Sequence, residues 1–214
     1  MKKSLHQIGL ETKTDKADYH NFCQFYDDNF NHLRDSKISL LEIGILKECS
    51  MKMWREYFEH ASIHGIDINQ IFPTTNNVIY HRVNADNYDE LMNFSQSHVS
   101  WDLIIDDGGH TMRQQQNAIK ALWPNLKSGG IFVMEDLHTS FMSKTRYNIE
   151  GVPTTFDFIK CLQNKQSFQS QFIDNETYQN ILSEVNNVVI WWKEINEGKD
   201  VTRSGSITSL IFKK

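Results

Sequence analysis

The chain predicts an α/β fold: an open, doubly wound, mostly parallel seven-stranded sheet, finished at one edge by an antiparallel C-terminal hairpin. Three observations carry that expectation. Between residues 38 and 136, short apolar runs alternate with amphipathic stretches of about ten residues, the pattern of successive strand-helix-strand units. The two strongest runs, Trp101 to Asp106 and Gly129 to Met134, each stop on paired carboxylates, Asp106-Asp107 and Glu135-Asp136. The last two apolar runs are separated by too few residues to hold a crossover helix.

Taken in order, Ile38 to Gly44 reads as a strand, Ser50 to His60 as an amphipathic helix, and Ile63 to Ile68 as the second strand. Val78 to Val83 is the third strand and Tyr88 to Phe94 a helix. Leu103 to Asp106, a helix from Met112 to Trp123, and Ile131 to Glu135 complete the alternation. Beyond Asp136, Thr154 to Leu162 and Asn175 to Val185 read as helices, and Val188 to Glu194 and Ser206 to Phe212 as strands. Their link, 195 to 205, is short and polar, so the two pair antiparallel. Before residue 38 the chain is polar and aromatic. Residues 18 to 26 fit one short helix, and 1 to 37 reads as a lid or brace before a single domain spanning 38 to 214.

With 214 residues the chain can bury one substantial core, and 13 Phe, 7 Tyr and 5 Trp against 3 Pro and 10 Gly describe a folded chain rather than a linker. Net charge is −5 with no Lys/Arg stripe, which argues against a nucleic-acid partner. The N-terminal Met1-Lys-Lys-Ser-Leu-His6 leads into no apolar run, and the longest apolar runs are strand-length, so the expectation is a cytoplasmic protein without a membrane span. Cys23, Cys49 and Cys161 are odd in number and widely spaced, fitting neither a disulfide framework nor a zinc set. The aromatic N-terminal segment could contact a second subunit, making a homo-oligomer possible.

Open α/β sheets keep their ligand crevice at the strand ends. Two acidic pairs at neighbouring ends repel unless a cation or proton lies between them, and a divalent metal is the simplest resolution. Acids also end strands as turn and cap residues, which would explain a single pair. Two pairs, one with His110 three places on, favour a site. The strand through Glu42 delivers Gly44 to a sharp turn where a ligand can approach the main chain. Asp67, about twenty residues on, ends the next strand where a carboxylate accepts ribose hydroxyls. Asn84-Ala-Asp86 adds a third polar strand end. Met51, Met53 and Trp54 read as helix core, although Trp54 could wall a base pocket. Residues 141 to 151 form the expected substrate loop.

Thr14-Asp-Lys16 with His20, Leu41-Glu-Ile-Gly44, Met53-Trp54, Gly65-Ile-Asp-Ile68, Ile105-Asp-Asp-Gly-Gly-His110, Leu126-Lys-Ser-Gly-Gly130 and Glu135-Asp-Leu-His-Thr-Ser140 together resemble class I S-adenosylmethionine-dependent methyltransferases of Rossmann-like fold. More narrowly the set is similar to metal-dependent sugar O-methyltransferases of the mycinamicin and rhamnosyl-tetracenomycin type. The resemblance implies that Asp107, Glu135 and Asp136 ligate magnesium and that His110 is the general base. It further implies that Glu42, Gly44, Ser50, Asp67, Asp86 and Asp106 serve the S-adenosyl-L-methionine site, and that Thr14, Lys16, His20, His138 and Thr139 lie on the acceptor side. From the residues alone, a helix-start His110 is the lesser reading, since the ligand-like Asp107 lies just before it, whereas His138 could equally be a loop residue. The implied acceptor is a sugar hydroxyl of a glycosylated small molecule or glycan precursor. A catechol-like diol, or a degenerate nucleoside-binding protein without catalysis, are the alternatives.

One departure stands out. Where the family follows the first strand with further small residues, Gly44 runs into Ile45-Leu-Lys-Glu-Cys-Ser50, and bulky residues take a positive φ only at a cost. Either Ser50 caps the next helix on another path, or cofactor binding is weakened.

Overall fold

The computed structural model describes residues 2–69, 72–74, 77–98, 100–149, 153–193 and 205–214. The strands β1 (Ser39–Ile43), β2 (Ser62–Asp67), β3 (Val78–Arg82), β4 (Trp101–Asp106), β5 (Leu126–Met134), β6 (Val185–Trp192) and β7 (Ile207–Lys213) form one sheet in the order β3-β2-β1-β4-β5-β7-β6. The first five are mutually parallel, and β7 runs against both its neighbours. β6 therefore points the same way as β1 to β5. Chain order reverses between β1 and β4, the switch point at which open sheets leave a crevice.

Side chains alternate across the pleat and so sort into two cores. Leu41, Ile43, Ile66, Ile104 and Phe132 pack beneath α5 (Tyr88–Gln96), α6 (Met112–Leu122), α7 (Thr155–Asn164) and α8 (Asn175–Glu184). On the other face, Leu40, Ile63, Leu103, Ile105 and Val133 meet α4 (Cys49–Tyr57) and three N-terminal helices, α1 (Leu5–Thr12), α2 (Asp15–Asp18) and α3 (Cys23–Phe30). Leu5, Phe22, Tyr26 and Phe30 are wholly buried there. At ~1.5–3 kcal/mol for each large apolar side chain taken from water, those four alone hold the segment firmly on the sheet.

Where a single helix was expected over 18–26, the structure has the end of α2, a break and the start of α3, with α1 preceding both. α1 begins at a reciprocal cap: Gln7 N donates to Ser4 Oγ (3.2 Å) and Ser4 N donates to Gln7 Oε1 (3.0 Å). Asn21, at φ +60°, separates α2 from α3. β5 starts five residues before the expected Ile131, with Gly129 at φ +76° turning the strand where its register to β4 shifts. Most of the expected link at 195–205, the end of the expected strand at Glu194, and residues 150 and 151 of the expected 141–151 loop lie outside the described residues. Among the described residues no helix is long and apolar enough to cross a membrane.

Candidate active site

The main chain just past the strands stays in register along one rim of the sheet. Gly44 N donates to Ile66 O (2.8 Å), Asp107 N to Ile43 O (2.9 Å) and Glu135 N to Asp106 O (3.0 Å). Gly44 sits at φ +87°, and a Cβ built there would lie 2.2 Å from the carbonyl oxygen of Asp107. The glycine is thus demanded first by the neighbouring turn, before any ligand is considered.

Under this rim the acids meet a lysine. Lys16 Nζ, wholly buried, pairs with Asp107 Oδ2, with Glu135 Oε2 at 2.9 Å and with Glu42 Oε1 at 3.5 Å. Glu135 Oε1 accepts the Tyr26 hydroxyl at 2.9 Å, and that hydroxyl also lies 3.1 Å from Thr208 Oγ1. Burial disfavours the Lys16 charge, but the surrounding carboxylates outweigh it and hold the ammonium well above its usual range. Burial also pushes Glu42 up to about 7, with Lys16 opposing, and raises Glu135 well above the carboxylate range. Lys16, expected on the acceptor side, is a buried counter-ion. Glu135 has both oxygens engaged, so the three carboxylates expected to share a metal do not converge on one point.

Asp136 is the second centre. His110 Nε2 lies 3.4 Å from its Oδ2, while His20 Nδ1 and His138 Nδ1 lie 3.5 and 3.6 Å from its Oδ1. Asp107 Oδ1 faces His110 Nε2 at 4.0 Å. Among the described residues the buried Asp136 Oδ1 accepts no hydrogen bond and the buried His110 Nδ1 has no hydrogen-bond partner. Asp136 (φ +54°) and His110 (φ +58°) both take left-handed backbone, strain that persists where the surroundings over-determine it. The Thr139 hydroxyl, buried, holds both turns by donating to His110 O (3.0 Å) and Asp136 O (2.9 Å). It is therefore turned from the acceptor side where it was expected. His20 Nδ1 lies 2.8 Å from Ser206 Oγ. Burial lowers the His138 pKa, with Asp136 opposing.

A cavity of about 680 Å³ opens above these groups. Gly44, Ser50 and Asp67 line it together with Asp107, His110 and Asp136. The size suits a cofactor with room beside it. Asp67 accepts Ile45 N at 3.0 Å and Asn69 N at 2.8 Å, fixing the carboxylate at the end of β2. Thr14 also lines the cavity.

Three expected cofactor residues stand elsewhere. Glu42 lies below the rim with Lys16 and accepts the Ser50 hydroxyl (3.0 Å). Asp106 is buried beneath the Gly108 turn, pushed up to about 6 by burial. Asp86 forms a two-point pair with Arg113 at 3.0 and 2.8 Å, leaving Asn84 and Ala85 at the cavity. Trp54 packs between Phe30, Tyr26 and Phe58, away from the cavity.

The loop after Gly44 keeps Ile45, Leu46, Lys47 and Cys49 on the cavity lining, and only Glu48 of the departing residues is turned from it. Leu46 (φ +46°) and Glu48 (φ +65°) both adopt left-handed backbone. Glu48 turns out toward the Tyr80 hydroxyl and Lys52 Nζ (3.1 Å), so its bulk leaves the cavity. It occupies the cap position of α4 without a side-chain cap, and Ser50 lies inside the helix rather than capping it. Tyr26, Arg146 and Tyr147 were not singled out by the sequence. Tyr26 is hidden within an aromatic run, and the other two fall in the 141–151 loop and line the cavity.

This strand order, with one reversed strand inside an otherwise parallel sheet, is a methyltransferase Rossmann-like fold. No family model matches the chain. The curated relatives it matches are sugar O-methyltransferases. It is 31% identical over 146 residues to L-olivosyl-oleandolide 3-O-methyltransferase of Streptomyces antibioticus, covering 64% of this chain and 38% of that protein. It is 32% identical over 131 residues to 8-demethyl-8-(2-methoxy-alpha-L-rhamnosyl)-tetracenomycin-C 3'-O-methyltransferase of Streptomyces olivaceus, covering 58% and 34%. The chain thus matches little more than a third of the length of these relatives. The MycE methyltransferase of the mycinamycin biosynthetic pathway, solved in complex with Mg and SAH, superposes with a TM-score of 0.76 at 19% identity, over 100% of this chain and 55% of that one. That likeness establishes the fold.

Proposed function

We propose that the protein is an S-adenosylmethionine- and magnesium-dependent O-methyltransferase acting on a sugar hydroxyl of a glycosylated small molecule. The observation that carries the reading is the convergence of Asp107, Asp136 and His110, which line the same cavity as Gly44, Ser50 and Asp67. The names of the curated relatives supply the sugar, and the MycE complexes supply the cofactor pair.

The residues fit those groups. Asp107 and Asp136 each bring a hard carboxylate oxygen within 4.8 Å of the other beside His110, and among the described residues Oδ1 of Asp136 is buried without a hydrogen bond. Asp107 and Asp136 would hold the metal, which when bound polarises the acceptor hydroxyl. Glu135 remains with Lys16 and Tyr26. Asp67, held at the end of β2 by two main-chain N–H groups, would face the ribose hydroxyls.

His110 Nε2 takes the hydroxyl proton. As that O–H bond breaks, the oxygen attacks the sulfonium methyl, the carbon–sulfur bond breaks toward sulfur, and the thioether leaves neutral. Thr139 keeps the imidazole aimed by clamping the main chain of His110 to that of Asp136. The N-terminal segment acts as a brace, closing the site from below through Lys16, His20 and Tyr26.

The test is methyl transfer from S-adenosylmethionine to a panel of glycosides and catechols, with and without a chelator. Chelator-sensitive methylation of glycosides is expected. Undiminished activity after metal removal, or no calorimetric heat with millimolar cofactor, would refute the reading; preference for catechols would replace the sugar with an aromatic diol.

A further inference from the structure

A second convergence of ligating groups shares no residue with the cavity. His64 on β2, His81 on β3 and His98 just after α5 each present a ring nitrogen within 4.8 Å of the other two. His64 Nδ1 and His81 Nε2 are 3.0 Å apart, and the His81 and His98 rings lie 4.7 Å apart at 84°. The strand register accounts for two of them. His64 pairs with Ile79 and His81 with Ile66, so both rings project to the face covered by α5. Phe94 of α5 stacks on His98 at 4.1 Å, and Trp101 of β4 meets His64 edge-on at 4.8 Å.

We propose that His64, His81 and His98 form a transition-metal site of the zinc type, three imidazoles with a fourth position open to water. Imidazole is the ligand that borderline dications share, whereas magnesium is served by oxygen. Zinc bonds of ~2.0–2.1 Å place tetrahedral nitrogens about 3.3 Å apart, so the cluster needs only small ring rotations to close on an ion. The outer contacts are those of a ligand set as well. His98 Nδ1 lies 2.8 Å from the carbonyl of Phe94, which can only accept, so the proton is on Nδ1 and the lone pair on Nε2. His64 Nε2 lies 3.3 Å from Ser62 Oγ, leaving Nδ1 toward the cluster. Burial and mutual proximity keep His64 and His81 in the neutral form that metals bind. Such an ion would tie the β2-β3 edge of the sheet to the end of α5.

The test uses the full chain, stripped with chelator and then held in millimolar magnesium so that oxygen sites are occupied. Zinc titrated by calorimetry is expected to bind one ion per chain and to raise the melting temperature. Losing an outer-shell partner alone costs roughly 10–100-fold in affinity, so His98→Gln should weaken zinc at least about a hundredfold while Asp107→Asn leaves it unchanged. Copper bound to the unmutated chain should show nitrogen hyperfine coupling from several imidazoles in electron paramagnetic resonance, a readout that needs no variant. Absence of that coupling, or zinc binding that survives in His98→Gln but fails in Asp107→Asn, would overturn the proposal.

Discussion

Lys16 Nζ stands 2.9 Å from Glu135 Oε2, with both side chains sealed from water. The cation that the acidic strand ends required is, in part, a side chain of the protein itself. Removing one partner from a buried ionic cluster costs ~3–5 kcal/mol, because the remaining charges lose compensation. Lys16→Met should therefore lower unfolding free energy by about that much in a denaturant titration, and adding Glu135→Gln should restore part of it. A loss under about 1 kcal/mol would mean that the carboxylates neutralise by taking protons instead.

Gly44→Ala tests the rim. The added methyl meets the Asp107 carbonyl at 2.2 Å on a backbone of φ +87°, so the turns after β1 and β4 must separate. A stability loss of at least ~2 kcal/mol is expected, with weaker S-adenosylmethionine binding by calorimetry. Unchanged cofactor affinity would detach Gly44 from the binding site.

His110→Ala is expected to slow methyl transfer by about a hundredfold or more, the usual share of a general base, with cofactor affinity nearly unchanged. A loss confined to KM would instead assign His110 to acceptor binding.

Asp174 gives a pH dependence. Its carboxylate accepts Thr177 N (2.8 Å) and the Thr177 hydroxyl (2.9 Å), and these bonds hold its pKa down at about 2. The folded value lies below the unfolded one, so the stabilisation is complete above about pH 4 and fades as pH falls toward 2. Asp174→Ala should lower the melting temperature at pH 6, and the gap to the unmutated chain should narrow by pH 3. A gap that stays constant would show that the cap acts without its charge.

The strands were legible because buried runs such as Leu103 to Ile105 leave few alternatives to a covered parallel sheet. Of the candidate site, the residues at strand ends were the legible part: Asp67, Asp107 and Asp136 all line the cavity. What stayed hidden depends on distance in space. Lys16 lies in a polar stretch, where lysine is ordinarily solvated, and only the fold brings it under three acids. Asp86 looked like Asp67 in sequence, yet Arg113 from α6 turns it away. α1 could have been found from Ser4-Leu-His-Gln7, a capping signature that precedes its apolar positions.

β7 follows β6 in the chain yet lies between β5 and β6 in the sheet. A nascent chain that has emerged only as far as β6 therefore has no place to dock it: the neighbour that β6 needs is still to be made. Until β7 inserts, β5 offers a bare edge that other chains can template upon. Folding during synthesis must then wait for the late strand, and a lesion that delays it would be expected to show first as aggregation rather than as altered chemistry.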